Sequence, residues 1–108
     1  MSSESYEAVI LRVMGPDVFE ARVQLGFGVE TVRQMKLSGV SWDHVNALSE
    51  DARDRATEAL REMIEGQFVK MRVIQRGQFY YARVFLVEED VLECMVQRGY
   101  LARFEKPQ

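Results

Sequence analysis

Few residues in this chain have types and spacing that can do chemistry. Asp43 and His44 are adjacent, directly after Trp42. An imidazole beside a carboxylate can work as an acid–base pair, because histidine titrates near neutral pH. The same two neighbours, in a stretch leading into a helix, also read as an ordinary surface pair, and that reading is favoured. Cys94 is the only cysteine, so it has no intramolecular disulfide partner, and its place in an apolar helical pattern reads as core. No Cys/His spacing suggests zinc, no Gly-rich loop follows a strand in the phosphate-binding pattern, and there is no nucleophile elbow. The remaining chemistry is aromatic. Phe27, Tyr80 and Tyr81 can stack on bases or pack in a core, and Trp42 can anchor a loop or face a partner.

Composition sets the frame for these candidates. With 108 residues the chain reads as one domain, 1–108, with an ordinary core and with residues 1–5 and 105–108 frayed. A net charge of −3 argues against a dedicated nucleic-acid binder while leaving room for a local basic patch. No apolar run approaches the length of a membrane span, so no membrane partner is expected. Residues 1–5 do not read as a signal peptide, and a cytoplasmic location is the expectation.

The elements that must position the candidates follow from periodicity. Tyr6 to Val13 is β-rich and ends in the turn signal Met14-Gly15-Pro16-Asp17. Val18 to Leu25 alternates, with Phe19, Ala21, Val23 and Leu25 on one face. After Gly26-Phe27-Gly28, a third strand runs from Val29 to Leu37, giving a meander. Ser38 to Leu48 has no clean period and reads as a loop crossing from sheet to helix. Ser49 caps a helix whose stripe is Ala52, Ala56, Ala59, Leu60, Met63 and Ile64, ended by Gly66. Two further strands, Phe68–Ile74 and Phe79–Val87, join through Arg76-Gly77-Gln78. An acidic hinge, Glu88-Glu89-Asp90, then leads into a short helix that stops at Gly99. Three strands, a helix, two strands and a helix is the order of a mainly β, five-stranded OB-type barrel. One helix caps it between strands three and four, and a short helix ends it. Its inner face should carry Val23, Leu25, Met35, Val69, Met71, Val73, Val84 and Leu86.

The run Val91-Leu92-Glu93-Cys94-Met95-Val96-Gln97-Arg98-Gly99-Tyr100-Leu101-Ala102 resembles a helix of the type Val-Asn-x-x-Leu-Val-x-x-Gly-Tyr-Ala. That helix lies near the end of the staphylococcal nuclease-like (thermonuclease) domain, an elaborated OB-fold with this element order. The resemblance covers Tyr6 to about Phe104. It implies calcium-dependent hydrolysis of DNA or RNA, with carboxylates holding the ion, a Glu acting on water and two Arg clamping phosphate. The family's Asp-Gly-Asp-Thr motif falls on Met14-Gly15-Pro16-Asp17, where Asp17 holds a carboxylate position only after a one-residue slip. The Arg-x-x-x-x-Asp-x-Pro-Glu motif falls on Arg33 to Ser41. Arg33 matches the clamp, Ser38 stands at the metal-binding Asp and Ser41 at the Glu. Phe79 stands at the second Arg, for which Arg76 or Arg83 is a substitute candidate.

The resemblance therefore implies a degenerate, non-catalytic binding module with no cofactor. A protein partner or self-association is favoured over nucleic acid because of the acidic balance. Candidate ligand-binding residues are Arg33, Phe27, Tyr80, Tyr81 and Trp42. The alternative is a calcium-dependent nuclease with shifted ligands, for which Asp17 is the metal candidate and Arg33, Asp43 and His44 the catalytic ones. With the metal carboxylates gone, Arg33 is expected to pair internally with a carboxylate such as Asp17.

Overall fold

A computed structural model describes residues 4–104, with the backbone alone at Glu4. The elements are β1 (Glu4–Val13), β2 (Val18–Gly26), β3 (Val29–Leu37), α1 (Trp42–Ala47), α2 (Glu50–Ile64), β4 (Phe68–Arg76), β5 (Phe79–Leu86), β6 (Glu89–Asp90) and α3 (Val91–Gln97). The fraying expected at 1–3 and 105–108 lies outside the described residues. Glu4 and Ser5 do not fray as expected. They extend β1 and pair with Val73 and Arg72.

The strands form a mixed sheet in the order β3-β2-β1-β4-β5-β6, and β3 also pairs with β5. That last contact closes a five-stranded barrel of the OB type. The closure is short and parallel, Lys36 opposite Tyr81 and Leu37 opposite Ala82, while the other ladders are antiparallel. Inward positions alternate as a half-buried sheet requires: Phe19, Ala21 and Val23 on β2, Val69 and Met71 on β4, and Ala82 and Val84 on β5 are buried. Leu25, expected inside, is exposed because it lies near the end of β2, beyond the last β1–β2 pair, Ala8–Val23. Val73 and Leu86 are only partly buried against the core.

Helix α2 begins as its sequence indicates. The Ser49 hydroxyl accepts from Ala52 N at 3.1 Å, and Ala56, Leu60 and Ile64 are buried. Its last turn holds the β1–β2 turn: Val13 N donates to Glu65 Oε2 at 2.9 Å, and Arg61 Nη2 donates to Val13 O at 3.2 Å. Helix α3 is capped by Asp90, whose Oδ1 accepts from Leu92 N at 3.0 Å. Cys94 is half-buried rather than core, and its thiol donates to Glu89 Oε2 at 3.4 Å. Burial, then the Glu89 bond, pushes that thiol above its ordinary range.

The stretch 38–48, expected as a loop, contains α1. Ser41 caps it by accepting from His44 N at 3.3 Å, and Val45 is its one buried residue. A six-residue helix with one core contact leaves no period to read. Gly39 permits the approach to it, at φ +86° and with a Cβ position only 3.1 Å from Leu92 Cδ2.

Candidate functional site

Four chain segments meet at the closed end of the barrel: the β1–β2 turn, the end of β3 with the loop before α1, the β4–β5 hairpin and the chain that leaves α3. The β1–β2 turn is tied down from both sides: Met14 N donates to Val18 O at 2.8 Å, and Leu37 N donates to Asp17 O at 2.8 Å. This fixes Asp17 at the end of β3, beside the Val18–Lys36 pair. Lys36 points outward from the barrel, next to Tyr81 across the parallel closure, with its Nζ 5.5 Å from the centre of the Phe79 ring. Arg76 lies opposite Phe79, and Ile74 opposite Tyr81, on the β4–β5 hairpin. The chain leaving α3 returns to the loop before α1, where Ser41 N donates to Ala102 O at 2.8 Å and Phe104 N donates to Gly39 O at 2.6 Å. Those bonds set Phe104 and Trp42 at the rim.

Together these segments line a cleft of about 420 Å³, whose polar and aromatic walls include Asp17, Lys36, Trp42, Arg76, Tyr81 and Phe104. Trp42 is 65% exposed, so its ring faces the cleft and solvent rather than anchoring the loop. Asp17 is only 7% exposed. Burial pushes its carboxyl above the usual range, against the opposing pull of Lys36, its own backbone N–H and Arg53. No carboxylate lies within salt-bridge distance of Lys36 or Arg76 among the described residues.

This donor set does not fit calcium. The ion takes six to eight oxygen ligands, commonly from several carboxylates. Asp17 is the one acidic side chain lining the cleft, and it stands beside cations. Among the described residues, no three His, Cys, Asp or Glu side chains gather anywhere as a metal site.

The other candidates are scattered. Asp43 is exposed on the first turn of α1 and does not line the cleft, so it does not join Asp17 as a shifted ligand. His44 is half-buried and its Nδ1 has no hydrogen-bond partner, so the Asp43–His44 acid–base pair is not formed. Arg33 does not pair with Asp17. Its Nη1 donates to Val32 O at 3.0 Å, and no carboxylate is within reach among the described residues. The reason is register: Arg33 sits opposite Ala21, four residues up β3 from Leu37, or about 13 Å at ~3.3 Å per residue. Arg83 is also unavailable as a clamp, because its Nε and Nη2 donate to Asp90 Oδ2 at 3.0 and 2.8 Å. Phe27 is fully exposed at the far end of β3, about 26 Å along the strand from the cleft. Tyr80 packs toward the core beside Arg33, and of the three aromatic candidates only Tyr81 lines the cleft.

Sequence reasoning overlooked Lys36 and Phe104. One signal was present. Residues 68–86 contain Lys70, Arg72, Arg76 and Arg83 and no Asp or Glu, in a chain of net charge −3. Compared with known proteins, the chain matches no protein-family model, and no curated protein matches it. Its architecture is that of an OB-type barrel. Among the described residues, no helix is long and apolar enough to cross a membrane.

Proposed function

We propose that this protein is a non-catalytic, nuclease-like OB-type module that holds single-stranded nucleic acid in the cleft at the closed end of the barrel. The observation that carries this reading is the interleaving of cations and rings. Lys36 and Arg76 offer charge to phosphates, and Tyr81, Trp42 and Phe104 offer faces on which bases stack. The outer face of the β4–β5 hairpin extends the track through Arg72 and Lys70, while Arg83 is balanced by Asp90. Binding without hydrolysis is favoured because Ser38 and Ser41 stand where the resembled family has a metal-binding Asp and its Glu, and the Ser41 hydroxyl is engaged in capping α1. A cytoplasmic location is part of this proposal and rests on the single cysteine.

The test is fluorescence anisotropy with a labelled oligo(dT) of about twelve nucleotides, within the span an OB barrel covers. Saturable binding at low salt is expected. Lys36→Ala and Arg76→Ala should each weaken it several-fold, and the oligonucleotide should stay intact with calcium added. No binding at low salt would sink the proposal. Calcium-dependent cleavage lost with Asp17→Asn would restore the nuclease reading instead.

A further inference from the structure

The barrel closes over only part of β3. β2 pairs with β3 from Val29 to Lys36, whereas β5 meets it only at Lys36 and Leu37. Two bonds show which groups face which neighbour. Leu37 N donates to Asp17 O on the β2 side, and Ser38 N donates to Ala82 O on the β5 side. By strand alternation, Glu30, Val32 and Gln34 turn their N–H and C=O groups away from β2, toward the edge that β5 leaves open. Among the described residues, the one bond on this edge runs from Arg33 Nη1 to Val32 O, at 3.0 Å.

Folded proteins blunt such an edge with charged side chains, proline, a bulge or a covering element, and the charges on this one are Glu30 and Arg33. Here the edge residues 29–35 include no proline, and Val29 and Val32 are 53% and 45% exposed. Beside the edge lies a cavity of about 270 Å³, lined by Tyr6, Thr31, Arg33, Val73 and Tyr80 among others. Its lining contains no acidic residue, and Arg33 is its one charge.

We propose that the open edge of β3 receives an extended segment of another protein as an added strand. Arg33 would exchange its bond to Val32 O for an acidic side chain of the incoming chain, and the backbone groups of Glu30, Val32 and Gln34, with that carbonyl released, would bond the added strand. An apolar side chain two residues away, on the same face, would enter the cavity, as the two-residue period of a strand requires. A second copy of this chain does not supply that chemistry. Two β3 edges paired antiparallel about a two-fold axis keep the same face up. Arg33 then meets Val29, Thr31, Arg33 or Met35 of the copy and never Glu30. The charge complementarity therefore selects a different, acidic-apolar peptide. This surface is separate from the nucleic-acid cleft and does not depend on it.

The probe is a fluorescein-labelled eight-residue peptide of alternating Thr and Val in which one Val is replaced by Glu. Saturable anisotropy is expected, with amide hydrogen exchange slowed at Glu30, Val32 and Gln34. Replacing the peptide Glu with Gln, or Arg33→Gln in the protein, should weaken binding about tenfold, while oligo(dT) binding stays unchanged. Gln34→Pro removes an outward N–H without touching the β2 ladder and should abolish peptide binding. If that variant fails to fold, the Arg33→Gln and exchange results decide. Absence of peptide binding, binding indifferent to Arg33→Gln, or protection at other strands would overturn the proposal. So would light scattering that shows a dimer lost with Gln34→Pro, since the edge would then be occupied by a second copy.

Discussion

Asp17 shows how one side chain can look like a vestige in sequence and act as something else in the fold. It is a buried carboxyl whose desolvation outweighs the attraction of Lys36 and Arg53, so its folded pKa lies above the ordinary 3.8. Between those two values the folded state holds more protons than the unfolded state, so stability falls as pH rises through that window. The penalty is absent below pH 3.8 and complete above the folded pKa. Asp17→Asn should therefore melt higher than the native protein at neutral pH, with the gap closing as pH is lowered toward 3.8. Thermal melts of both proteins across acidic and neutral pH check this, and an Asp17→Asn variant that melts below the native protein at neutral pH would show that the pairing with Lys36 and Arg53 dominates instead. Arg33 teaches the complementary lesson. Its residue type was read correctly as a cation needing a partner, but strand register put the expected partner out of reach.

Among the elements, α2 joins the end of the meander to β4 and holds the site's turn through Glu65 and Arg61. Leu60 lies at the centre of its buried stripe with no exposure. Truncating a fully buried leucine removes transfer energy and leaves a cavity, at a cost of about 2–5 kcal/mol. Leu60→Ala should show that loss in urea denaturation, and a loss within error would mean the stripe does not carry the packing. Long periodic elements such as α2 and β2 were legible because each repeats its pattern several times. The short helix α1 was not, since one buried residue, Val45, makes no repeat. The two-residue strand β6 is likewise a product of the β5 edge being available, not of local preference. Val87, in the turn between them, is a β-branched residue at φ +59°, a conformation no sequence rule would assign to it.

At the scale of the whole molecule, net charge conceals how the charges are distributed. The chain is acidic at −3, yet residues 68–86 carry four cations and no carboxylate, while α2 carries Glu50, Asp51, Asp54, Glu58 and Glu62. Folding puts the cationic hairpin beside Lys36 and the aromatic rim of the cleft. If nucleic acid binds there, affinity must fall with salt through counterion release, by about 0.7 log units per log unit of salt for each phosphate neutralised on a single strand. Oligo(dT) titrations at several salt concentrations should give a slope that becomes shallower by about that amount in Lys36→Ala and again in the double variant with Arg76→Ala. A slope unchanged by both substitutions would place the contact elsewhere.

By itself, the sequence determined the order of the five barrel strands and of the helices α2 and α3, the cap at Ser49, the α2 stripe and the alternation of Phe19, Ala21 and Val23 on β2. All of these depend on neighbours within a few residues, which a linear chain displays. Only the tertiary structure decided which candidates share a site. Asp17, Lys36, Arg76 and Phe104 converge because the parallel β3–β5 closure and the return of the chain after α3 bring distant segments together. The same closure, stopping after two residue pairs, separates Arg33 from that cleft and leaves the rest of the β3 edge open. Register and closure are set by the packing of the whole barrel, and no local pattern encodes them.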